Sequence, residues 1–254
     1  MTEIINTVHD WRKIINTENL INKNIGFVPT MGALHSGHES LIKKSVLEND
    51  KTVVSIYVNP TQFNDPDDLK NYPKTFESDF EMLKKNNVDY LFFPKYGDLY
   101  PDNYTYKVSE SSFSKILCGA HRPNHFDGVL TVVLKLLNII SPKRAYFGEK
   151  DFQQYTLIKE MCKAFFLDVE IIPVSTVREK DGLAMSSRNT LLTEEDRKSA
   201  PLFSQLLKSS KSDSEISVEL EENGFKVDYI QTISGRRFGA VHLGKVRLID
   251  NVQL

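Results

Sequence analysis

His35 and His38 stand three positions apart and could both contact one phosphate group. They follow a short apolar stretch, Ile25–Val28, and precede an amphipathic one. Ser36, with Glu39 three residues later, is typical of a helix N-terminus, whose free N–H groups and positive dipole end attract anions. On one helical turn both imidazoles face the same side. The pattern predicts phosphate binding, although a capped surface helix with two incidental histidines has the same spacing.

Four further sites carry polar side chains that could serve the same ligand. Asn59 and Gln62 bear amides suited to a small polar acid. The segment Gly148–Asp151 contains a lysine, and Met185–Asn189 contains two serines and an arginine, all possible phosphate partners. Asp79 could bind a divalent cation beside phosphates. Each has a structural alternative, namely a polar turn, a capped helix, an ordinary loop or a solvated carboxylate.

These candidates must be positioned by alternating strands and helices. Alternation at this spacing predicts an α/β fold with a doubly wound parallel sheet, in which ligands lie at the carboxyl ends of the strands. The predicted strands are Ile25–Val28, Thr52–Val58, Asp89–Phe93, Arg144–Phe147 and Val169–Val174. The predicted helices lie near His9–Ile21, His38–Glu48, Phe76–Asn86, Val129–Ile140 and Phe152–Ala164.

The pattern changes after about residue 176, which predicts a first domain over 1–176 and a small α+β domain over 177–254. The loop Arg178–Asn189 has few apolar anchors and is expected to close over a ligand as a lid. A helix should open at Thr193, and Ser209–Ser214 should form a mobile connection. The candidate strands of this part are Phe225–Ile233 and Ala240–Ile249.

Composition excludes several functional classes. The chain has 254 residues, 40% of them hydrophobic and 26% charged, which is ordinary for a globular protein. A net charge of −2 gives no reason to expect nucleic acid as a partner. No apolar run is long enough to span a membrane, and no signal peptide is visible, so a cytoplasmic location is expected. Two cysteines without CxxC spacing argue against a disulfide framework or a zinc ribbon.

The ordered set of motifs resembles the pantoate–β-alanine ligase family of the nucleotidylyltransferase-like superfamily. The likeness implies a Rossmann-like nucleotidylyltransferase fold with a C-terminal domain shorter than is usual in the family. The segment Gly235–Gly239 in that domain does not match the family pattern. The matching segments are Pro29–His38, Tyr57–Phe63, Asn71–Thr75, Arg122–Leu137, Gly148–Gln154, Thr176–Asn189 and Leu243–Asn251.

The resemblance implies a two-step reaction that uses ATP and Mg²⁺ and leads to pantothenate, a coenzyme A precursor. The pantoate carboxylate attacks the α-phosphate of ATP to give pantoyl adenylate and pyrophosphate. The amine of β-alanine then attacks the acyl carbon and releases AMP. Family membership also implies a homodimer whose partners are these small molecules.

The resemblance further implies roles for individual residues. The expected catalytic residues are His35, His38, Lys150 and Arg188; in the family His38 is the proton donor, but we expect it to act chiefly by stabilising charge. Gln62 and Gln154, together with Asn59, would bind pantoate and β-alanine, and Asp79 would bind the metal. The expected ATP-binding residues are Met31, Gly32, Ala33, Leu34, His35, Ser36, Gly37, His38, Gly148, Glu149, Lys150, Asp151, Val177, Met185, Ser186, Ser187 and Arg188.

Three other functions share part of the pattern. A class I aminoacyl-tRNA synthetase also has a histidine-glycine-histidine motif, but this chain lacks a basic anticodon-binding domain. A simple nucleotidyltransferase would not need the second pocket that Gln62 and Gln154 supply. A nucleotide-sensing module would not need both His38 and Lys150 at the phosphates.

Overall fold

The computed structural model, which describes all residues from Met1 to Leu254, contains two sheets. The larger one has six parallel strands in the order β1-β4-β3-β2-β5-β6, as the predicted doubly wound fold requires. Its strands are β1 (Glu3–Ile5), β2 (Ile25–Thr30), β3 (Lys51–Ile56), β4 (Tyr90–Phe92), β5 (Arg144–Gly148) and β6 (Glu170–Val174). All five predicted strands are confirmed; β1, three residues at the sheet edge, was missed.

Helices connect these strands and cover both faces of the sheet. The 16 residues of α7 make it the longest, and no helix is both long and apolar enough to cross a membrane. The helices are α1 (Val8–Thr17), α2 (Ser36–Glu48), α3 (Pro66–Lys70), α4 (Phe76–Lys85), α5 (Tyr96–Leu99), α6 (Cys118–His121), α7 (His125–Ile140), α8 (Phe152–Ala164), α9 (Glu194–Ser199), α10 (Pro201–Leu207) and α11 (Asp213–Glu222). Short 3₁₀ turns occupy Leu20–Asn22, Pro60–Gln62, Phe113–Lys115, Glu149–Asp151 and Ser187–Leu191.

The central strands are buried on both faces, which explains their continuous apolar sequence. Phe27 on β2 and Val53 on β3 are completely buried in one layer of the core, and Val28 and Val54 in the opposite layer. Because the chain turns outward from β2 toward β3 on one side and from β5 toward β6 on the other, the strand order reverses between β2 and β5. A crevice opens at such a reversal, outside the carboxyl ends of the strands.

The C-terminal part forms a three-stranded antiparallel sheet with its own core. Its strands are β7 (Lys226–Ile233), β8 (Arg236–Leu243) and β9 (Val246–Gln253). Phe203 on α10 and Ile216 on α11 are completely buried against this sheet. The predicted strand Ala240–Ile249 was wrong as a single element, because Gly244, with φ of +56°, ends β8 in a tight turn and returns the chain as β9.

The segment Ser209–Ser214, predicted to be mobile, is held in place by one arginine of β8. Arg237, only 6% exposed, donates hydrogen bonds to the carbonyl oxygens of Leu207 (3.0 Å), Ser209 (2.9 Å) and Lys211 (2.8 Å). It also pairs with Asp213 at 2.8 Å. A guanidinium offers several donors in a fixed plane, so one side chain can fix a whole turn. The prediction of a mobile segment rested on serine-rich composition, which does not show the contacts that Arg237 makes in the folded protein.

We expect Arg237→Ala to destabilise the C-terminal domain. The change leaves carbonyl groups without their charged donor and should lower the free energy of unfolding by about 2–4 kcal/mol. Urea unfolding followed by circular dichroism measures this. Arg12→Ala, at an exposed position of α1, is the control and should change stability by less than about 0.5 kcal/mol. A variant at Arg237 as stable as the wild type would contradict this role.

Candidate active site

A crevice of about 230 Å³ lies at the reversal between β2 and β5. Segments from both domains line it: the end of β2 with the start of α2, the 3₁₀ turn after β3, the turn after β5, and the loop after β6. It is therefore the place where the histidine motif, the Asn59–Gln62 turn, the segment Gly148–Asp151 and the loop with Met185 and Arg188 meet. It adjoins a larger cavity of about 930 Å³, and the two share Lys150, Asp151, Ser186 and Arg188.

Two histidines, rather than Ser36 and Glu39, cap the N-terminus of α2. His35 is the N-cap residue, and its Nδ1 accepts a hydrogen bond from the backbone N–H of Gly37 at 3.1 Å. The Nδ1 of His38 accepts from the backbone N–H of His35 at 3.3 Å. The capping box predicted for Ser36 and Glu39 was therefore wrong by one residue, although the helix begins where expected.

These contacts determine which ring nitrogen carries the proton. Because Nδ1 accepts in both rings, the neutral imidazoles of His35 and His38 hold their protons on Nε2. Burial, with the charge of Lys150 as a further cause, lowers the pKa of His35 to about 4 and that of His38 to about 3. At neutral pH the crevice thus contains two uncharged N–H donors, which favours charge stabilisation over proton donation by His38.

This electrostatic arrangement makes folding sensitive to acid. A histidine whose pKa is lowered in the folded state takes up its proton only in the unfolded chain, so stability falls as the pH falls below about 6.5. We expect urea unfolding between about pH 7 and pH 5 to show a shallower loss of stability in His38→Gln than in the wild type. His9→Gln, at an exposed position, serves as the control and should keep the wild-type slope. Equal slopes for all three proteins would contradict the assignment.

Asp79 holds the loop that precedes α2, which does not fit the metal role predicted for it. Its side chain is 2% exposed, and its two carboxylate oxygens accept the backbone N–H groups of Ala33 (2.9 Å) and Leu34 (2.8 Å). Thr75 donates a third hydrogen bond to it at 3.1 Å. Gly32 and Ala33 both have positive φ angles, of +82° and +50°, so this turn depends on its partner. Asp79 is therefore a positioning residue for the histidines.

We expect Asp79→Asn to damage nucleotide use, because an amide can accept only one of the two backbone N–H groups. The kcat/KM for ATP should fall at least about 10-fold, and excess Mg²⁺ should not restore it. Steady-state kinetics over a range of Mg²⁺ concentrations tests this. Glu77→Gln, at an exposed position on the same helix, should behave as the wild type. Recovery at high Mg²⁺ would instead support the metal role.

The turn after β3 presents Gln62, while Asn59 holds that turn in shape. Asn59 is 1% exposed, and its Nδ2 donates to Oε1 of Gln62 (3.1 Å) and to the carbonyl of Gly128 (3.2 Å). Its Oδ1 accepts from the hydroxyls of Tyr100 (2.9 Å) and Thr61 (3.1 Å). With both ends of its amide in use, Asn59 positions Gln62, which does not fit the substrate contact predicted for it.

Helix α7 packs unusually close to this turn. A Cβ atom at Gly128 would lie 2.4 Å from the carbonyl oxygen of Thr61, so only glycine permits the approach. The side chain of His125, at the start of the same helix, contacts the carbonyl of Gln62 at 2.8 Å. The position of Gln62 is therefore set by residues that are distant in the sequence.

The two glutamines at the start of α8 have different roles. Gln153 is 5% exposed, and its amide bonds the backbone at Phe113 and Ile116 before α6 and at Cys118, the first residue of α6. Gln154 is half-buried and lines the crevice, and its side chain makes no hydrogen bond within the protein. Its amide is free to bind a ligand, and its role as a substrate contact stays a prediction.

The C-terminal sheet supports the turn that carries Lys150. Asn251 on β9 is 5% exposed and donates to the carbonyls of Glu149 (2.8 Å) and Lys150 (2.9 Å). The Nζ of Lys150 lies 3.6 Å from the carboxylate of Asp151, and its side chain is 19% exposed. The lysine is therefore available to a ligand on a turn that both domains hold. Sequence reasoning did not assign this role to Asn251, although it lies in a segment that matched the family.

Arg188 contacts an acidic residue across the cavity. Its Nη2 lies 2.9 Å from a carboxylate oxygen of Asp68 on α3, and its guanidinium lies over the ring of Tyr72 at 5.5 Å. Ser186 accepts the backbone N–H of Arg188 at 3.2 Å. Phosphate groups would have to compete with Asp68 for this guanidinium. Asp68 was not singled out in the sequence, and Tyr72 was named only within the matching segment Asn71–Thr75, without a role.

The loop Arg178–Asn189 is anchored, contrary to the expectation of few anchors. Both terminal nitrogens of Arg178 bond the carboxylate of Asp250, at 2.7 and 3.0 Å. Leu183 is 2% exposed and belongs to the C-terminal core. The backbone N–H of Met185 donates to the carbonyl of Val177 at 3.0 Å and closes the base of the hairpin. The loop is thus part of the small domain, and any closure must move the two together.

Most of the predicted ligand residues, but not all, line the crevice. Those that do are Met31, His35, Gly37, His38, Asn59, Gln62, Gly148, Lys150, Asp151, Gln154, Val177, Met185, Ser186, Ser187 and Arg188. Those that do not are Gly32, Ala33, Leu34, Ser36, Asp79 and Glu149. The first three shape the turn before α2, and the carbonyl of Glu149 accepts from the C-terminal sheet.

A crevice of this kind, at the strand reversal of a parallel sheet and with neutral N–H donors beside a lysine, defines a nucleotide-binding enzyme of the Rossmann-like class. Residues 3–253 match the family model described as pantoate-beta-alanine ligase. A pantothenate synthetase of Bdellovibrio bacteriovorus is 60% identical over 230 residues, which is 91% of this chain and 92% of that protein. The chain therefore belongs to the pantoate-beta-alanine ligase family, which confirms the resemblance, and it is a ligase.

Solved structures agree with this assignment. The pantoate-beta-alanine ligase of Francisella tularensis, complexed with β,γ-ATP and β-alanine, matches with a TM-score of 0.95 and 44% identity. The match covers 100% of this chain and 98% of that one. The pantothenate synthetase of Thermus thermophilus matches with a TM-score of 0.89 and 36% identity over 99% of each chain. The Rossmann-like fold with a small C-terminal domain is thus confirmed.

Proposed function

We propose that this chain condenses pantoate with β-alanine in its crevice through a pantoyl adenylate. The main support is the composition of the crevice lining. The crevice joins phosphate-type donors, His35, His38 and Lys150, to the free amide of Gln154 within one lining. The first group suits the phosphates of ATP, and the amide suits a hydroxy acid next to them.

The proposed reaction has two steps, and each step releases a good leaving group, first pyrophosphate and then AMP. A carboxylate oxygen of pantoate attacks the α-phosphorus of ATP, the bond to the bridging oxygen breaks, and pyrophosphate leaves. The amine of β-alanine then attacks the acyl carbon, the bond to the AMP oxygen breaks, and the amine loses a proton to solvent. No covalent protein nucleophile is needed, so the barrier falls mainly by positioning and charge stabilisation.

In this proposal the crevice residues have separate tasks. The Nε2–H groups of His35 and His38 stabilise negative charge on the phosphates, and Lys150 adds a compact cation. Arg188 binds phosphates after it leaves Asp68. Gln154 binds pantoate, and Gln62 lies at the junction of the pantoate and β-alanine positions. The nucleotide site is completed by Met31, Gly37, Gly148, Asp151, Val177, Met185, Ser186 and Ser187.

We also propose that Mg²⁺ enters with ATP. The chain offers no group of three or more histidine, cysteine or carboxylate side chains for an ion, and both oxygens of Asp79 are already used. Mg²⁺ commonly keeps several waters and binds through substrate phosphates, which needs no protein cage.

We propose that the two domains divide the work of the site. Residues 1–176 form the ATP- and pantoate-binding domain, and residues 177–254 form a C-terminal domain that supports the crevice through Asn251. The chain works as a homodimer, as the resemblance implies, and in the cytoplasm, where ATP is available. Sedimentation equilibrium of the purified protein tests the dimer, because a single monomeric species would contradict it.

Pyrophosphate exchange tests the reaction directly. Labelled pyrophosphate should enter ATP only when pantoate is present, and β-alanine should not be required. A nucleotide sensor would show no exchange. An aminoacyl-tRNA synthetase would require an α-amino acid, and a simple nucleotidyltransferase would not respond to pantoate. Exchange without pantoate, or none with it, would contradict the proposal.

We expect Gln154→Ala to weaken pantoate use selectively. Loss of a hydrogen bond to a buried substrate group costs roughly 1–3 kcal/mol, so kcat/KM for pantoate should fall about 5- to 150-fold. Calorimetry should show unchanged ATP binding. Gln153→Ala is the matched comparison, since that side chain bonds only the protein and should lower thermal stability instead. Equal losses for ATP and pantoate in Gln154→Ala would mean that the residue is structural.

A further inference from the structure

Arg122 lies beside the crevice without an acidic partner. It is partly buried and lines both the 930 Å³ cavity and a small pocket that also contains Gln154 and Lys150. A partly buried cation normally requires an anion. The other two arginines on the larger cavity have carboxylate partners, Arg188 with Asp68 and Arg247 with Asp228.

The guanidinium of Arg122 is nonetheless held in one orientation. Its Nη1 donates to Nε2 of His125 at 3.1 Å, and its Nη2 donates to the carbonyl of Gln62 at 3.2 Å. His125 donates from Nδ1 to that same carbonyl at 2.8 Å, which leaves Nε2 free to accept. These two bonds use two of the five N–H groups of the arginine, so three remain for a ligand.

The surroundings add positive potential. Burial lowers the pKa of Arg122 to about 10, and the positive charges of Arg247 and Arg188 contribute to this shift. The arginine stays protonated at neutral pH, and His125 stays neutral because burial lowers its pKa to about 3. An anion bound here would relieve repulsion among three guanidinium groups.

We propose that Arg122 binds the carboxylate of β-alanine and so selects the amine substrate. This inference rests on the proposed function. The nitrogen and the carboxylate of β-alanine are separated by two methylene groups, about 4–5 Å. The amine must reach the acyl carbon next to Gln62 and Gln154. Arg122 bonds the main chain of Gln62 and shares a pocket with Gln154, so it lies at a suitable place for the other end of the molecule.

Replacement of Arg122 by glutamine tests the proposal in the full chain. The KM for β-alanine should rise about 10- to 100-fold, while pantoate-dependent pyrophosphate exchange should change by less than about 3-fold. With β-alaninamide as the acceptor, which lacks the carboxylate, the variant should lose the wild-type preference for β-alanine. Arg144→Gln, which removes an arginine paired with Glu170 away from the crevice, should change neither quantity.

Three results would overturn the proposal. Exchange could fall as much as the complete reaction, which would mean that Arg122 only holds the turn at Gln62. The KM for pyrophosphate in the exchange reaction could rise instead, which would assign the site to that anion. The variant could also keep the wild-type preference for β-alanine over its amide. Absence of exchange in the wild type is a different result, since it would refute the proposed function itself.

A second measurement uses the wild type and does not depend on the folding of a variant. Propionate carries the carboxylate of β-alanine without its amine and should inhibit competitively against β-alanine. Propionamide and ethylamine should inhibit at least about 10-fold more weakly, since neither offers an anion to the arginine. Equal inhibition by propionate and propionamide would also overturn the proposal.

Discussion

The carboxylate of Asp79 is the contact on which the site depends. It accepts the backbone N–H groups of Ala33 and Leu34 and so stabilises a turn with two successive positive φ angles. That turn sets the start of α2, where the Nδ1 atoms of His35 and His38 accept hydrogen bonds from the backbone. The proton of each neutral ring is therefore on Nε2. A buried acid on one helix thereby decides the protonation pattern of two histidines on another.

The site is also a product of contacts between the two domains. Asn251 on β9 bonds the carbonyls around Lys150, and Arg236 on β8 lies 3.8 Å above the ring of Phe152 at the start of α8. The loop with Ser186 and Arg188 is fastened to the small domain by the pair of Arg178 and Asp250. The C-terminal domain can therefore support the crevice, because the supporting contacts come from its sheet and the loop before it.

Neutral histidines supply hydrogen bonds in and beside the crevice, and lysine and arginine side chains supply its positive charge. Burial keeps His35, His38 and His125 uncharged near neutral pH, so they act as directed hydrogen-bonding groups. Positive charge comes instead from Lys150 and from arginines, of which Arg122 has no carboxylate partner. The proposed reaction involves three kinds of anionic group: the phosphates, the pantoate carboxylate and the β-alanine carboxylate. Cations in and beside the crevice can therefore bind different anions.

The sequence by itself determined most of the strands and helices along the chain, because apolar periodicity is a local property. It also indicated where the motifs meet, because the carboxyl ends of parallel strands lie at one edge of the sheet. It did not determine which polar side chains are free. Gln153 and Gln154 are neighbours, yet only the first is used by the protein's own backbone. Asn59 and Asp79 were expected to meet ligands and are instead paired with distant residues. A hydrogen bond between remote positions exists only once the chain has folded, so tertiary structure alone separates positioning residues from those available to substrate.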